Sequence, residues 1–274
     1  MFTLNCKGKL LMLDPPVVMG IINATPDSFY KGNINDDILA LAEGMLADGA
    51  TILDIGGQST RPGSERITAE EELHRILPVI KAIHAKFPGT IISVDTYSST
   101  VAIAAVEAGA SIVNDISAGT MDAQMLQTVA RLQVPYICMH MQGTPGNMQK
   151  DPHYDDVTKE VLDFFIAKVH ECKKAGIIDI IIDPGFGFGK TIAHNFSLLK
   201  KLEALAILDK PILAGISRKS TIYKTLQTTA DDALNGTTVL NTIALMNGAS
   251  LLRVHDVKEA QEAVTLFNAY KKAP

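Results

Sequence analysis

Residues 47–55 read ADGATILDI: the end of a helical pattern, one glycine, then a short apolar run carrying an aspartate. The phrase returns as EAGASIVNDI at 107–116, KAGIIDIIID at 174–183 and MNGASLLRVHD at 246–256. Gly49, Gly109, Gly176 and Gly248 each suit the left-handed C-cap that ends a helix before a short helix-to-strand loop. They lie 60, 67 and 72 positions apart, and each interval holds two strand–helix units. Filling the gaps gives eight strands, at Val17–Asn23, Ile52–Gly56, Ile91–Thr96, Ile112–Ser117, Tyr136–His140, Ile178–Asp183, Ile212–Ile216 and Leu251–His255. Most are continuous apolar runs, the pattern of parallel strands buried on both faces.

The segments between them read as helices. Thr68 with Glu71 forms a capping box. Leu73, Ile76, Leu77, Ile80 and Ile83 follow one helical stripe, and Val161, Leu162, Phe165, Ile166 and Val169 another. Eight alternations predict α/β architecture as a single (β/α)8 TIM barrel spanning residues 1–274, with an open doubly wound sheet as the alternative. The opening MFTLNCKGKLLML predicts a short N-terminal β-hairpin that closes the barrel bottom.

Bulk properties narrow the function classes. A net charge of -5 and a pI of about 5.8 give no basic footprint for nucleic acid, so any anion site must be local. Cys6, Cys138 and Cys172 show neither zinc spacing nor a disulfide framework, which fits a reducing cytoplasm. The apolar run LLML is too short for a signal peptide, and no run is long enough for a membrane span.

The glycine-rich IIIDPGFGFGKT, residues 180–191, invites comparison with a phosphate loop. The spacing refuses it. A P-loop needs glycine where Pro184 stands, and the third glycine of a dinucleotide fingerprint would fall on Lys190.

In such a barrel the active site lies at the C-terminal ends of the strands. All eight predicted ends are polar: Asn23, DIGGQSTRPG from Asp54, Asp95, Asn114–Asp115, CMHMQG from Cys138, Asp183, SRKS from Ser217, and Arg253 with His255. Singly, each has an ordinary structural explanation. Asp95 could cap the following helix, and His140 could be a satisfied interior histidine. Together they form two groups. Asp95, Asn114, Asp183 and Lys219 offer the directed donors and acceptors that suit a flat heterocycle. Arg61, Arg253 and His255, with Asn23, are able to gather around an anion, and the arginine fork matches phosphate oxygens. No Gly-x-Ser-x-Gly elbow, no His-Glu-x-x-His and no carboxylate cage is present in the sequence.

The blocks MGIINATPDSF, DIGGQSTRPGS, SVDT, NDIS, MHMQGTPGNMQ, DPGFGFGKT, SRKS and RVHDV occur in this order from Met19 to Val257. Together they resemble the signature of the dihydropteroate synthase family. The resemblance implies a (β/α)8 barrel that pairs as a homodimer. It implies condensation of 6-hydroxymethyl-7,8-dihydropterin diphosphate with p-aminobenzoate, giving 7,8-dihydropteroate and pyrophosphate in folate biosynthesis. It further implies that Asp95, Asn114, Asp183 and Lys219 contact the pterin, with Met139 and Phe188 as apolar walls. Thr60, Arg61, Arg253 and His255 would bind the diphosphate. Phe29, Pro62, Lys219 and Ser220 would frame p-aminobenzoate, and Asn23 would bind Mg2+. The loops NATPDSFYKGN and QSTRPGSER are expected to close over the site.

Two departures stand out. The family shows GGEST after the second strand, where this chain has Gln58, and Tyr30–Asn33 replace the usual Ser-Asp-Gly-Gly. Three rivals are weighed. A pterin-dependent methyltransferase needs neither TPDSF nor STRPG. A non-catalytic paralogue should have lost Arg253, His255 or Lys219. A Schiff-base aldolase would use Lys219 and would be trapped by borohydride.

Overall fold

The structure, a computed structural model, describes residues 2–24, 34–58 and 66–274. Strands β1 (Thr3–Cys6) and β2 (Lys9–Met12) form an antiparallel hairpin. The other eight are β3 (Val17–Asn23), β4 (Ile52–Gly56), β5 (Ile91–Asp95), β6 (Ile112–Asp115), β7 (Tyr136–Met139), β8 (Ile180–Asp183), β9 (Leu213–Ala214) and β10 (Leu251–Val254). They pair in parallel in the order β8-β7-β6-β5-β4-β3-β10-β9. A parallel bridge between Ile182 and Ile212 brings β8 back to the start of β9 and closes the ring. The open doubly wound sheet is thereby excluded.

Helices α1 (Ile34–Ala47), α2 (Ala69–Lys86), α3 (Ser99–Ala108), α4 (Met125–Leu132), α5 (Val157–Ala175), α6 (Ile192–Lys200), α7 (Ser220–Thr225), α8 (Leu234–Met246) and α9 (Val257–Lys271) fill the returns among the described residues. The four repeated glycines end α1, α3, α5 and α8 alike. Each has positive φ, between 97° and 127°. The next residue's N–H always bonds back to a carbonyl five positions earlier, as from Ala50 to Met45 and from Ala249 to Ala244. That shared terminus turns the chain straight into the following strand, which is why the phrase repeats in the sequence.

Two corrections to local expectations have physical causes. Thr68 caps α2 by accepting from Glu71 N–H, but the Glu71 carboxylate pairs with Arg75 one turn on rather than returning to the cap. On α5, Ile166 is exposed, and Phe164 turns inward to meet His140 edge-on.

Strand alternation creates two separate apolar regions. Outward residues such as Val18, Leu53, Ile92, Val113 and Leu252 pack under the helices. Inward residues Val17, Met19, Ile52, Ile91, Ile112, Ile137, Ile181, Leu213 and Leu251 form an apolar layer inside the barrel. The hairpin closes it from below with Leu4, Cys6, Leu11 and Leu13. Two residues further along most strands, the same inward direction carries a different chemistry.

Candidate active site

Above the apolar layer the inward positions are Asp54, Ser93, Asp95, Asn114, Met139, Asp183, Gly215 and Arg253, each two or four residues beyond a member of that layer. Arg253 organises them. Its Nε donates to Asp54 Oδ2 at 2.6 Å and its Nη2 to Asp95 Oδ2 at 2.7 Å. Asn114 Nδ2 donates to the same Asp54 oxygen at 3.0 Å. Asp54 Oδ1 and Ser93 Oγ are buried with no partner among the described residues, so the layer as described keeps spare polar capacity. Burial pushes the Asp95 carboxyl up, Arg253 pulls it back, and the carboxylates of Asp54, Glu72 and Asp115 push it up again, to about 7. Asp95 does not cap α3, since Ser98 does that.

Asp183 faces Arg253 from the other side. Its Oδ1 accepts from Gly185 N–H at 2.7 Å. Burial raises its carboxyl, opposed by Lys219, the Gly185 N–H, Arg253 and Lys190. Lys219 Nζ donates to Phe186 O at 2.6 Å and lies 4.6 Å from the centre of the Phe188 ring. Burial lowers its ammonium to about 8, with Asp183 resisting. A Cβ placed on Gly215 would stand 3.8 Å from Asp183 Oδ2 and 3.9 Å from Arg253 Cβ, so this position lies between the two side chains. The result is a barrel mouth lined by three carboxylates, an arginine, a lysine and an amide, with Met139 and Phe188 as apolar surfaces. It can hydrogen-bond the edge of a planar heterocycle and stabilise positive charge on it.

The remaining sequence candidates lie nearby or outside the description. Asn23 ends β3 at this mouth, half-buried, paired in register with Gly56. His255 follows β10, its Nδ1 3.0 Å from Ser217 Oγ. Ser220 begins α7, directly after Lys219. Phe29, Thr60, Arg61 and Pro62, with the loops that carry them and the Tyr30–Asn33 departure, lie outside the described residues. Gln58 lies within them. Its Oε1 accepts from Tyr97 Oη at 2.9 Å, while Arg75 Nη1 donates to Gly57 O at 2.9 Å. A neutral hydrogen bond therefore anchors this loop root.

The comparisons with known proteins bear on this mouth directly. Residues 19–255 match the sequence profile of the family described as pterin binding enzyme. The dihydropteroate synthase of Escherichia coli (strain K12) is 43% identical over 271 residues, covering 97% of this chain and 95% of the relative. The chain belongs to the dihydropteroate synthase family of pterin binding enzymes. Among solved structures, the Xanthomonas albilineans dihydropteroate synthase with 4-aminobenzoic acid superposes with a TM-score of 0.93 at 42% identity, covering 99% of both chains. The same organism's dihydropteroate synthase in complex with 7,8-dihydropteroate superposes with a TM-score of 0.90 at 39% identity over both full lengths.

In this pterin binding enzyme the sequence reading missed Asp54, which is 0% exposed at the centre of the polar layer. The signal was available: Asp54 stands two positions after Ile52 in a buried strand, the inward register that Asn114 occupies after Ile112 and Asp183 after Ile181. Asp115 and His140 have structural roles. Asp115 is saturated by Ser117, Gly119 and Tyr136, and His140 packs against Phe164 and Tyr154. The Gly-Lys-Thr ending is not a phosphate site. Thr191 caps α6, and Lys190 turns into the interior.

Proposed function

We propose that this chain is a transferase that condenses 6-hydroxymethyl-7,8-dihydropterin diphosphate with p-aminobenzoate, releasing 7,8-dihydropteroate and pyrophosphate. The observation that carries the reading is the inward polar layer joined by Arg253, in a chain that matches dihydropteroate synthases over nearly its whole length. The whole chain would act as one pterin-binding unit.

In this reading Asp95, Asn114, Asp183 and Lys219 bind the pterin edge, between Met139 and Phe188. Thr60, Arg61, Arg253 and His255 hold the diphosphate. Phe29, Pro62, Lys219 and Ser220 frame p-aminobenzoate. As the methylene carbon–oxygen bond breaks, its electron pair leaves with the pyrophosphate, and Arg253 and His255 stabilise the growing negative charge. The positive charge left on the methylene spreads into the dihydropterin ring, where Asp95 and Asp183 favour it in their ionised forms. The aromatic amine is neutral near pH 7, so its lone pair forms the new carbon–nitrogen bond and its proton leaves to solvent. No strong base is needed, which fits a mouth built of charges and hydrogen-bond partners.

Asn23 would hold Mg2+. Its neutral amide oxygen beside the proposed diphosphate position fits an ion bound mainly by ligand phosphates and water. When bound, Mg2+ supplies charge neutralisation on the leaving diphosphate.

The reading includes a homodimer. Val239, Ile243 and Met246 form an exposed stripe along α8, and Leu266 and Tyr270 continue it on the adjacent α9. A second copy is the occupant we assign to this face, and light scattering should give twice the chain mass. The three cysteines are free and buried, which supports a cytoplasmic setting. Among the described residues no helix is long and apolar enough to cross a membrane.

The deciding experiment measures pyrophosphate release from the pterin diphosphate with Mg2+, with and without p-aminobenzoate, while dihydropteroate is followed by chromatography. Equal amounts of dihydropteroate and pyrophosphate are expected. Pterin binding with no product would instead indicate a non-catalytic relative.

A further inference from the structure

Lys190 is 3% exposed, yet it carries an ammonium that the proposed reaction does not use. Its Nζ lies 2.9 Å from His140 Nδ1 and donates to Gly185 O at 3.0 Å, Phe188 O at 3.1 Å and, more weakly, His140 O at 3.5 Å. These partners belong to two different strand ends. His140 follows β7, directly after Met139. Gly185 and Phe188 belong to the loop after β8, directly after Asp183.

That loop can be accounted for carbonyl by carbonyl. Gly185 O and Phe188 O go to Lys190, Phe186 O to Lys219, Gly187 O to Gln149 and Gly189 O to Tyr154. Lys190 alone takes two of the five and also reaches the neighbouring strand end. The approach is close. A Cβ on Gly185, at φ +68°, would fall 1.9 Å from His140 O, so the glycine lets the two strand ends share one cation.

We propose that Lys190 is a positioning residue of the pterin site: its buried ammonium ties the ends of β7 and β8 together and so fixes Met139, Asp183 and Phe188 relative to one another. The inference rests on the pterin reading given above. Each of the three residues is within two positions of a carbonyl that Lys190 holds. Burying an ammonium is costly unless its donors are used. Burial pulls Lys190 down to about 7, with Asp183 resisting, and the three carbonyls and the histidine nitrogen take up its donors. The His140 ring is held neutral by burial and by Lys190, so it stays available as an acceptor. Lys190 also adds positive charge behind Asp183, favouring its ionised form.

The test compares wild type with Lys190→Met, which keeps the chain length and loses the charge and donors. Binding of 6-hydroxymethylpterin is read by its fluorescence, and KM is measured separately for pterin diphosphate and p-aminobenzoate. Misplacing a binding group by about an ångström costs up to about 100-fold. We therefore expect pterin affinity to fall at least tenfold in the folded variant, with the p-aminobenzoate KM changed less than about threefold. The acid limb of pterin affinity should move to higher pH as Asp183 loses a supporting charge. Lys219 and Arg253 still face Asp183, so the limb shifts without disappearing. Lys190→Arg, which keeps the charge, should recover part of the affinity. If Lys190→Met does not yield folded protein, Lys190→Gln takes the same measurements, since it keeps two donors without the charge. Folded variant with wild-type pterin affinity and an unmoved acid limb would overturn the proposal, whatever its melting temperature. Wild-type protein that binds no pterin and makes no dihydropteroate would instead overturn the functional reading, so the two failures are distinguishable.

Discussion

Glu72 offers a quantitative test of the electrostatics beneath the mouth. It sits in the first turn of α2, 3% exposed, with Oε1 lacking any partner among the described residues. A Cβ on Gly57 would lie 3.2 Å from Glu72 Cγ and 2.7 Å from Ile76 Cγ2, so the root of the β4 loop presses directly on this helix. Burial raises the Glu72 carboxyl from 4.5 to about 7, against the opposing pull of the Thr96 hydroxyl and Arg75. At about 1.4 kcal/mol per pKa unit, ionising it in the folded state costs about 3 kcal/mol. That value is already the net of the opposing pulls, so burial wins by about 3 kcal/mol. Because the folded pKa lies above the unfolded one, the folded state binds the extra proton. Glu72 therefore imposes no cost below about pH 4.5, and stability falls as pH rises through 7. Glu72→Gln imitates the protonated form. Urea unfolding should show the variant close to wild type at about pH 4.5 and more stable by about 3 kcal/mol at about pH 8. A difference that does not change with pH, or a less stable variant at the higher pH, would refute the reasoning.

Gly185→Ala combines a left-handed backbone with a clash against the His140 carbonyl. It should cost about 3 kcal/mol or more in thermal or urea unfolding, while Gly89→Ala, which meets nothing within 4 Å, should stay within about 0.5 kcal/mol. Asp95→Asn removes a charge that the proposed mechanism uses, so kcat in the dihydropteroate assay should fall about 100-fold. Unchanged turnover would deny that charge a role. Chelation of Mg2+ should stop product formation until the ion is restored, and Asn23→Ala should raise the Mg2+ concentration for half-maximal rate by about tenfold. An unaltered Mg2+ titration would remove Asn23 from the metal site.

Strand positions were legible because buried parallel strands write themselves as apolar runs. Their ends were less so. The predicted seventh strand, Ile212–Ile216, shrinks to Leu213–Ala214, the two residues that pair with Leu251 and Leu252 of β10. The predicted start at Ile178 moves to Ile180, since Ile178 is 81% exposed below the sheet. The pterin candidates Asp95, Asn114 and Asp183 could be picked out because polarity at a strand end is conspicuous. Asp54 shares the inward register of Asn114 and Asp183, but its role, like that of Lys190, could not be read there. Their significance comes from partners remote in sequence, 199 positions away for Arg253 and 50 for His140. A buried charge explains itself only once the chain has brought its neighbour alongside.

The hairpin beneath the barrel sets more than stability. With Leu4, Cys6, Leu11 and Leu13 sealing the lower end, the described polar layer is closed from below. Depth then becomes order in time. In the proposed reading, a ring lying against Asn114 and Asp183 would have to arrive before anything occupied the mouth above it, and would depart only after that space had cleared.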